Sequence, residues 1–189
     1  AHEPEPTAAN LGGLCERVRQ AGADVGFAQD PDADRLAIVD ENGLYIGEEY
    51  TLALAAKHVY SSRTGTAAAN LSTSRMIDDV AKAAGGRVVR TPVGEANVAG
   101  AMLANGCIIG GEGNGGVIDL RVGPIRDSLV AMALVLQLMA QTGQTVSQLV
   151  RQIGSYYMHK DKFAADAGQA ERIIARMKQR FAGAALDTS

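Results

Sequence analysis

The chain has 189 residues, 47% hydrophobic and 21% charged, which is enough apolar material for one sizeable core or two small ones and too much for a disordered polymer. A net charge of −3 leaves no broad basic face for a nucleic-acid backbone or an anionic membrane, so neither is expected as a partner. Cys15 and Cys107 lack CxxC or Cys/His spacing and read as reduced core thiols; with no leader-like start at Ala1 to Thr7 and no apolar run near the roughly 20 residues of a membrane span, a cytoplasmic setting is expected.

Pro4 and Pro6 make an extended lead-in, after which Thr7 is expected to cap a helix carrying Leu11, Leu14, Cys15 and Val18 on one face and ending at Gly22. Val25 to Ala28 and Leu36 to Val39 read as strands flanking a polar loop, Gln29 to Arg35, and an Asn42-Gly43 turn follows. An alanine-rich helix near residues 48–61, a strand at Ala67 to Leu71, a helix from Thr73, a strand at Val88 to Thr91, a short helix and a strand at Cys107 to Ile109 come next. This alternation predicts an α/β fold of two consecutive units with mainly parallel strands and right-handed crossovers, its ligand loops gathered at the carboxyl ends of the strands.

Asp127 to Gln141 is strongly apolar and predicts a buried helix on the second sheet, stopped by Gly143. Beyond Tyr156 and Tyr157 the composition turns polar, and a charged helix over Ala170 to Arg180 has no partner element after it. This helical tail and the small first unit both suggest a piece of something larger, because one helix and two or three short strands bury too little to stand alone.

Asp30, Asp32 and Asp34 crowd three carboxylates into one short loop, where repulsion is costly unless a cation relieves it. Oxygen-only donors without nearby His or Cys favour Mg²⁺ or Ca²⁺ over zinc, and three side chains leave positions for water or phosphate, as Mg²⁺ prefers. Arg35 adds a planar donor suited to a phosphoryl oxygen. A solvated acidic turn is the plainer reading of the same residues. An EF-hand would match Asp30, Asp32, Asp34 and Glu41 but requires Gly where Arg35 stands, and a β-branched strand follows instead of a helix.

The second feature is Gly110-Gly111-Glu112-Gly113-Asn114-Gly115-Gly116, whose glycines admit close backbone approach while Glu112 and Asn114 offer an acceptor and a bifunctional amide suited to vicinal sugar hydroxyls. It lacks the Gly-Lys-Ser/Thr ending of a P-loop and the spacing of a dinucleotide fingerprint, and a flexible turn is its plainer reading. Ser72, Thr73 and Ser74 read as helix-capping residues. Thr91 to Glu95, with Gly94, could meet an anion at a helix start or merely turn the chain. His2, His58 and His159 lack ligand spacing, and Asp127 reads as a favourable acid in the first turn of its helix.

Taken together, the Asp30-Pro31-Asp32-Ala33-Asp34-Arg35 loop, the Thr91-Pro92-Val93-Gly94-Glu95 turn, the glycine loop and the Arg126-Asp127 helix start resemble the α-D-phosphohexomutase superfamily in order and spacing. The resemblance spans nearly the whole chain. It implies that residues 1–46 are the C-terminal part of domain 2, 47–155 domain 3, and 156–189 a linker and the start of domain 4. It further implies Mg²⁺ on Asp30, Asp32 and Asp34, Arg35 as a catalytic residue, and Glu112, Asn114 and Gly94 as contacts to a hexose phosphate. Asn114 stands where the family usually has Ser, and Ala96 where some branches have a basic residue.

The implied activity is interconversion of hexose 1-phosphate and hexose 6-phosphate, of mannose, glucose or glucosamine, by phosphomannomutase, phosphoglucomutase or phosphoglucosamine mutase chemistry. The family's serine loop of domain 1 and phosphate clamp of domain 4 have no counterpart in the sequence, so the phosphoserine would lie outside it and the chain alone is expected to be inactive. A non-catalytic metal- or sugar-phosphate-binding module, or an aspartate-based sugar phosphatase, are the alternatives.

Overall fold

The computed structural model describes residues 6–159, 164 and 166–183. His2 and Pro4 lie outside them. Two compact units divide at Tyr156, and the described residues of the second include α7 (Ala167–Arg180), capped by Asp166 and Gln169 in a reciprocal capping box.

The first unit opens with α1 (Gly12–Ala21), which packs on β1 (Val25–Gln29) and β2 (Leu36–Asp40), an antiparallel pair with Phe27 opposite Ile38. Thr7 does not cap α1: Leu11 precedes the helix, and Thr7 instead accepts a turn bond from Asn10 N at 2.9 Å. The helix begins on Gly12 and Gly13, which are weak helix formers because glycine gives up more backbone freedom than any other residue.

Every residue of β2 is buried, because the strand is covered on both faces. Ala37 joins Leu11 and Ala28 in a small cluster under α1, while Leu36 and Ile38 point into the main core. Thr51, completely buried, donates from Oγ1 to Leu36 O at 2.8 Å. The two-stranded ribbon is therefore stabilised by the α/β layer that follows it in sequence.

That layer holds α2 (Glu49–Ser62), β3 (Thr66–Asn70), α3 (Met76–Ala83), β4 (Arg87–Thr91), α4 (Glu95–Asn105), β5 (Ile109–Glu112), β6 (Gly116–Ile118), α5 (Ser128–Thr142) and α6 (Val146–Ile153). Its sheet runs β4-β3-β5-β6, with β3 parallel to both β4 and β5 and β6 an antiparallel edge. The alanine strand shows why: Ala67 and Ala69 face the core shared by α2, α3 and α5, and Ala68 faces α4 with Val98 and Met102, all fully buried. Alternation on a strand covered by helices on both sides gives an α/β/α sandwich.

Three expectations are corrected. The helix expected from Thr73 begins at Met76, where Ser74 Oγ accepts from Met76 N at 3.4 Å while Arg75 at the N-cap offers no side-chain bond. The strand expected at Cys107 to Ile109 runs Ile109–Glu112, so the glycine run is not one open loop but the end of β5, a turn and β6. The α5 helix is not buried all round: Leu134, Val135 and Leu138 are buried mainly against α2, whereas Leu129 and Leu136 are exposed.

Helix α6, absent from the sequence reading, has a capping box of Thr145 and Gln148. Among the described residues no single helix is long and apolar enough to cross a membrane.

Candidate active site

The chain passes from β3 to β4 on one side of the sheet and from β4 across β3 to β5 on the other. Asn70, Thr91 and Glu112 therefore gather at neighbouring carboxyl ends, where ligands bind in folds of this kind. Asn70 is 1% and Glu112 4% exposed, and Asn70 Nδ2 donates to Glu112 Oε1 at 2.5 Å. Gly94 N, at the start of α4, donates to the same oxygen at 3.3 Å. Asn114 Nδ2 reaches Glu112 Oε2 at 3.4 Å, and Asn114 Oδ1 accepts from Gly116 N at 3.2 Å.

Thr73 is part of this arrangement. Its hydroxyl donates to Asn70 Oδ1 at 2.7 Å and accepts from Gly113 N at 2.8 Å, so it anchors the glycine turn and does not cap α3. Two glycines in the turn are required by close approach. Gly115 has φ 94° and lies against β2, where a Cβ would meet Leu36 O at 2.6 Å, while a Cβ on Gly116 would collide with the stem of Arg126.

The aspartate loop joins β1 to β2. Asp30, 4% exposed, accepts from Asp34 N at 3.1 Å and Arg35 N at 3.0 Å with Oδ1, and from Arg35 Nε at 2.6 Å with Oδ2. Burial works to raise its pKa, but these bonds outweigh it and hold the carboxyl at about 2. Asp34 goes the other way, to about 6, pushed up first by burial and then by the adjoining Asp30, with the Arg126 charge opposing. Asp32 is exposed.

One oxygen from each of the three aspartates lies within 4.8 Å of the others. Asp34 Oδ1 is buried without a hydrogen-bond partner. Three clustered carboxylates, one of them with an oxygen that has no hydrogen bond and only a 3.7 Å ion-pair contact to Arg35 Nε, fit a divalent cation such as Mg²⁺. Ala33 occupies the left-handed region, with φ 59°, and its carbonyl accepts from Ser128 N at 3.1 Å and Ser128 Oγ at 2.6 Å.

The two loops meet. Leu36 N donates to Gly115 O at 3.0 Å, and Arg35 pairs with Gly116 in an isolated antiparallel bridge. Arg126 ion-pairs with Asp34, with Glu95 at 2.8 Å and with Glu112 at 2.5 Å. A cavity of about 400 Å³ borders both Arg35 and Asn114. A larger one of about 520 Å³, between α2, α3, α5 and α6, touches none of the sequence-predicted site residues. The smaller is the better candidate because chemistry follows converging polar groups more than volume.

The structure thus assembles every residue expected at the site: Asp30, Asp32, Asp34 and Arg35 in one loop, and Gly94, Glu112 and Asn114 at the adjoining strand ends. The sequence reading did not place Asn70 at the site, took Thr73 for a cap, and quoted Glu95 and Arg126 only within motifs, without the junction that Arg126 makes. A signal for the last existed. Arg126 stands immediately before the N-cap of α5, where the helix dipole disfavours a cation, so carboxylate partners from elsewhere were required.

Comparison with known proteins gives the chain a family. Residues 47–157 match the family profile for phosphoglucomutase/phosphomannomutase alpha/beta/alpha domain III, and residues 1–43 that for domain II. A phosphoglucomutase/phosphomannomutase of Thermococcus kodakarensis is 40% identical over 95% of this chain and 39% of its own length. A phosphopentomutase of the same organism is 37% identical over 84% of this chain and 34% of its own.

Among solved structures, a phosphoglucomutase/phosphomannomutase family protein from Burkholderia thailandensis superposes with a TM-score of 0.72 at 26% identity, over 81% of this chain and 34% of that one. The chain therefore spans between a third and two fifths of the length of these relatives. With its aspartate loop, its glycine turn and both matched domains in place, the chain belongs to the phosphoglucomutase/phosphomannomutase family of the α-D-phosphohexomutase superfamily.

Proposed function

We propose that this chain supplies the metal loop and sugar loop of an enzyme that interconverts hexose 1-phosphate and hexose 6-phosphate, using a phosphoserine carried by residues outside it. In this reading residues 1–46 end domain 2, 47–155 form domain 3, and 156–189 lead into domain 4, with domains 1 and 4 of the parent as partners. The observation that carries the proposal is that two loops some eighty residues apart in sequence meet side by side through Leu36, Gly115 and Arg126.

Asp30, Asp32 and Asp34 would hold Mg²⁺, which when bound supplies positive charge beside the phosphoryl oxygens. Arg35, whose Nε lies 2.6 Å from Asp30, offers the phosphoryl group a planar donor as charge develops on it. Glu112 accepts from, and Asn114 both donates to and accepts from, vicinal hydroxyls. Gly94 N and Asn70 hold the Glu112 carboxylate in place before substrate arrives. Mannose, glucose and glucosamine phosphates share such hydroxyls. A pentose phosphate is the second reading, favoured by the phosphopentomutase relative.

The test is phosphorus NMR with hexose 1-phosphates, and with a pentose 1-phosphate in competition. The full-length parent converts the hexose 1-phosphate to the 6-phosphate, and this chain alone does not. Release of inorganic phosphate by this chain would overturn the mutase reading in favour of an aspartate-based phosphatase, and preferred conversion of the pentose would overturn the hexose.

A further inference from the structure

A single guanidinium serves both loops. Arg126 reaches Asp34 Oδ2 with Nη2, Glu112 Oε2 with Nη1 at 2.5 Å and Glu95 Oε2 with Nε at 2.8 Å. Oδ1 of the same Asp34 carboxylate is buried without a hydrogen bond, 3.7 Å from Arg35 Nε, and Asp34 is one of the three aspartates that cluster.

The root of the arginine is fixed as well. The next residue, Asp127, caps α5 by accepting from Leu129 N at 2.8 Å and Val130 N at 3.1 Å, and Ser128 binds the Ala33 carbonyl. The stem crosses Gly116, where a Cβ would displace it.

We propose that Arg126 is a positioning residue: braced on Glu112 and Glu95, it sets the Asp34 carboxylate for the cation, so that cation affinity depends in part on the sugar loop. The inference rests on the metal and sugar roles proposed above. A ligand carboxylate free to rotate binds a cation poorly, and outer partners that fix its orientation are worth about 10–100-fold in metal affinity. The planar fork of arginine can engage several carboxylates at once, which the compact ammonium of lysine cannot reproduce. Simple charge predicts the reverse, since a guanidinium beside a cation site repels the cation and its removal would tighten binding.

Titration calorimetry with Mg²⁺ separates the two. Native chain binds and Asp32→Asn does not. Arg126→Met, which keeps the stem, weakens binding by about 10–100-fold. Arg126→Lys fails to restore it, and Gly116→Ala, which keeps the charge but moves the stem, weakens it in the same direction. Glu112→Gln weakens binding in the native background and by a smaller factor when Arg126 is already Met.

Unchanged or tighter binding by Arg126→Met, full rescue by Arg126→Lys, or equal factors for Glu112→Gln in the two backgrounds overturns the proposal while leaving the metal site intact. Absence of Mg²⁺ binding by the native chain overturns both. Should circular dichroism show Arg126→Met unfolded, Gly116→Ala decides, and unchanged affinity there overturns the proposal.

Discussion

Residues 30–35 are held by charge against charge, residues 110–116 mainly by neutral donors. In the aspartate loop Arg35 answers Asp30 and Arg126 answers Asp34, while one oxygen of Asp34 goes without a hydrogen bond. In the glycine turn the neutral donors Asn70, Gly94 and Asn114 reach Glu112 beside the single charged donor Arg126, and Thr73 holds Gly113. The first region is arranged to exchange partners when a cation arrives. The second is arranged to stay still and present one carboxylate. Charge pairs can be swapped at small net cost because the alternatives are also charged, whereas a buried neutral network has no equivalent alternative.

The comparison predicts opposite responses to loss of one group. Asp32 is exposed, so Asp32→Asn should leave the unfolding midpoint of the chain unchanged. In the full-length parent it should lower kcat by roughly 10² to 10³, the loss expected when an electrostatic stabiliser is removed. Steady-state kinetics beside thermal melts check both halves. Asn70→Ala should do the reverse in this chain: it strips a donor from buried Glu112 and an acceptor from Ser72 and Thr73, and should cost about 2–3 kcal/mol in urea unfolding. A midpoint unmoved by Asn70→Ala would mean that the turn is not held by its neutral network.

The join between the regions should be weaker than either. Ser128 donates to the Ala33 carbonyl at 2.6 Å and accepts from Gln29 Nε2 at 2.6 Å, tying the aspartate loop to the start of α5. Ser128→Ala should cost about 1 kcal/mol in urea unfolding, because Gln29 Nε2 loses its acceptor while the Ala33 carbonyl keeps its bond from Ser128 N.

A second tie is pH-sensitive. Burial works to raise Glu41, but bonds from Ser147 and Thr145 outweigh it and hold the carboxyl at about 2, below its usual 4.5. Because the folded pKa is depressed, this tie stabilises fully above pH 4.5 and is lost as pH falls from there through 2. Glu41→Gln should flatten that part of the acid-unfolding profile and lower stability at neutral pH.

What the sequence disclosed follows the range of the interactions involved. The aspartate loop was legible because its three acids, its arginine and its flanking β-branched strands are all local. The parallel core was legible from alternating elements. The β6 strand was not, since Gly116–Ile118 is short and continues a glycine run that reads as loop. Thr73 looked like a cap because the residues that claim its hydroxyl, Asn70 and Gly113, are brought together only by parallel pairing of β3 with β5. Arg126 joins positions 34, 95 and 112, and no periodicity connects those four residues. Its place in the Arg126-Asp127 motif and the unfavourable position of a cation at a helix start hinted that it served something else, but neither named its partners.

Ala33 gives the smallest and most discriminating effect. Among the described residues it alone has a positive φ without being glycine. The left-handed conformation costs alanine about 1–2 kcal/mol. Glycine would remove that strain but would add freedom to the unfolded chain, worth about 0.5–1 kcal/mol. Ala33→Gly should therefore raise stability by no more than about 1.5 kcal/mol. The same freedom acts on the folded loop. If Ser128 and the alanine side chain together hold the three aspartates in register, glycine loosens them, and Mg²⁺ affinity should fall by roughly 2- to 5-fold, the equivalent of the same 0.5–1 kcal/mol. Calorimetry and urea unfolding on one protein sample read both quantities. Greater stability with weaker binding would show that strain is kept in the charged loop for its ligand, as expected at functional sites. Unchanged binding would mean that the bonds from Ser128 fix the loop unaided, and that the charged region is as rigid as the neutral one.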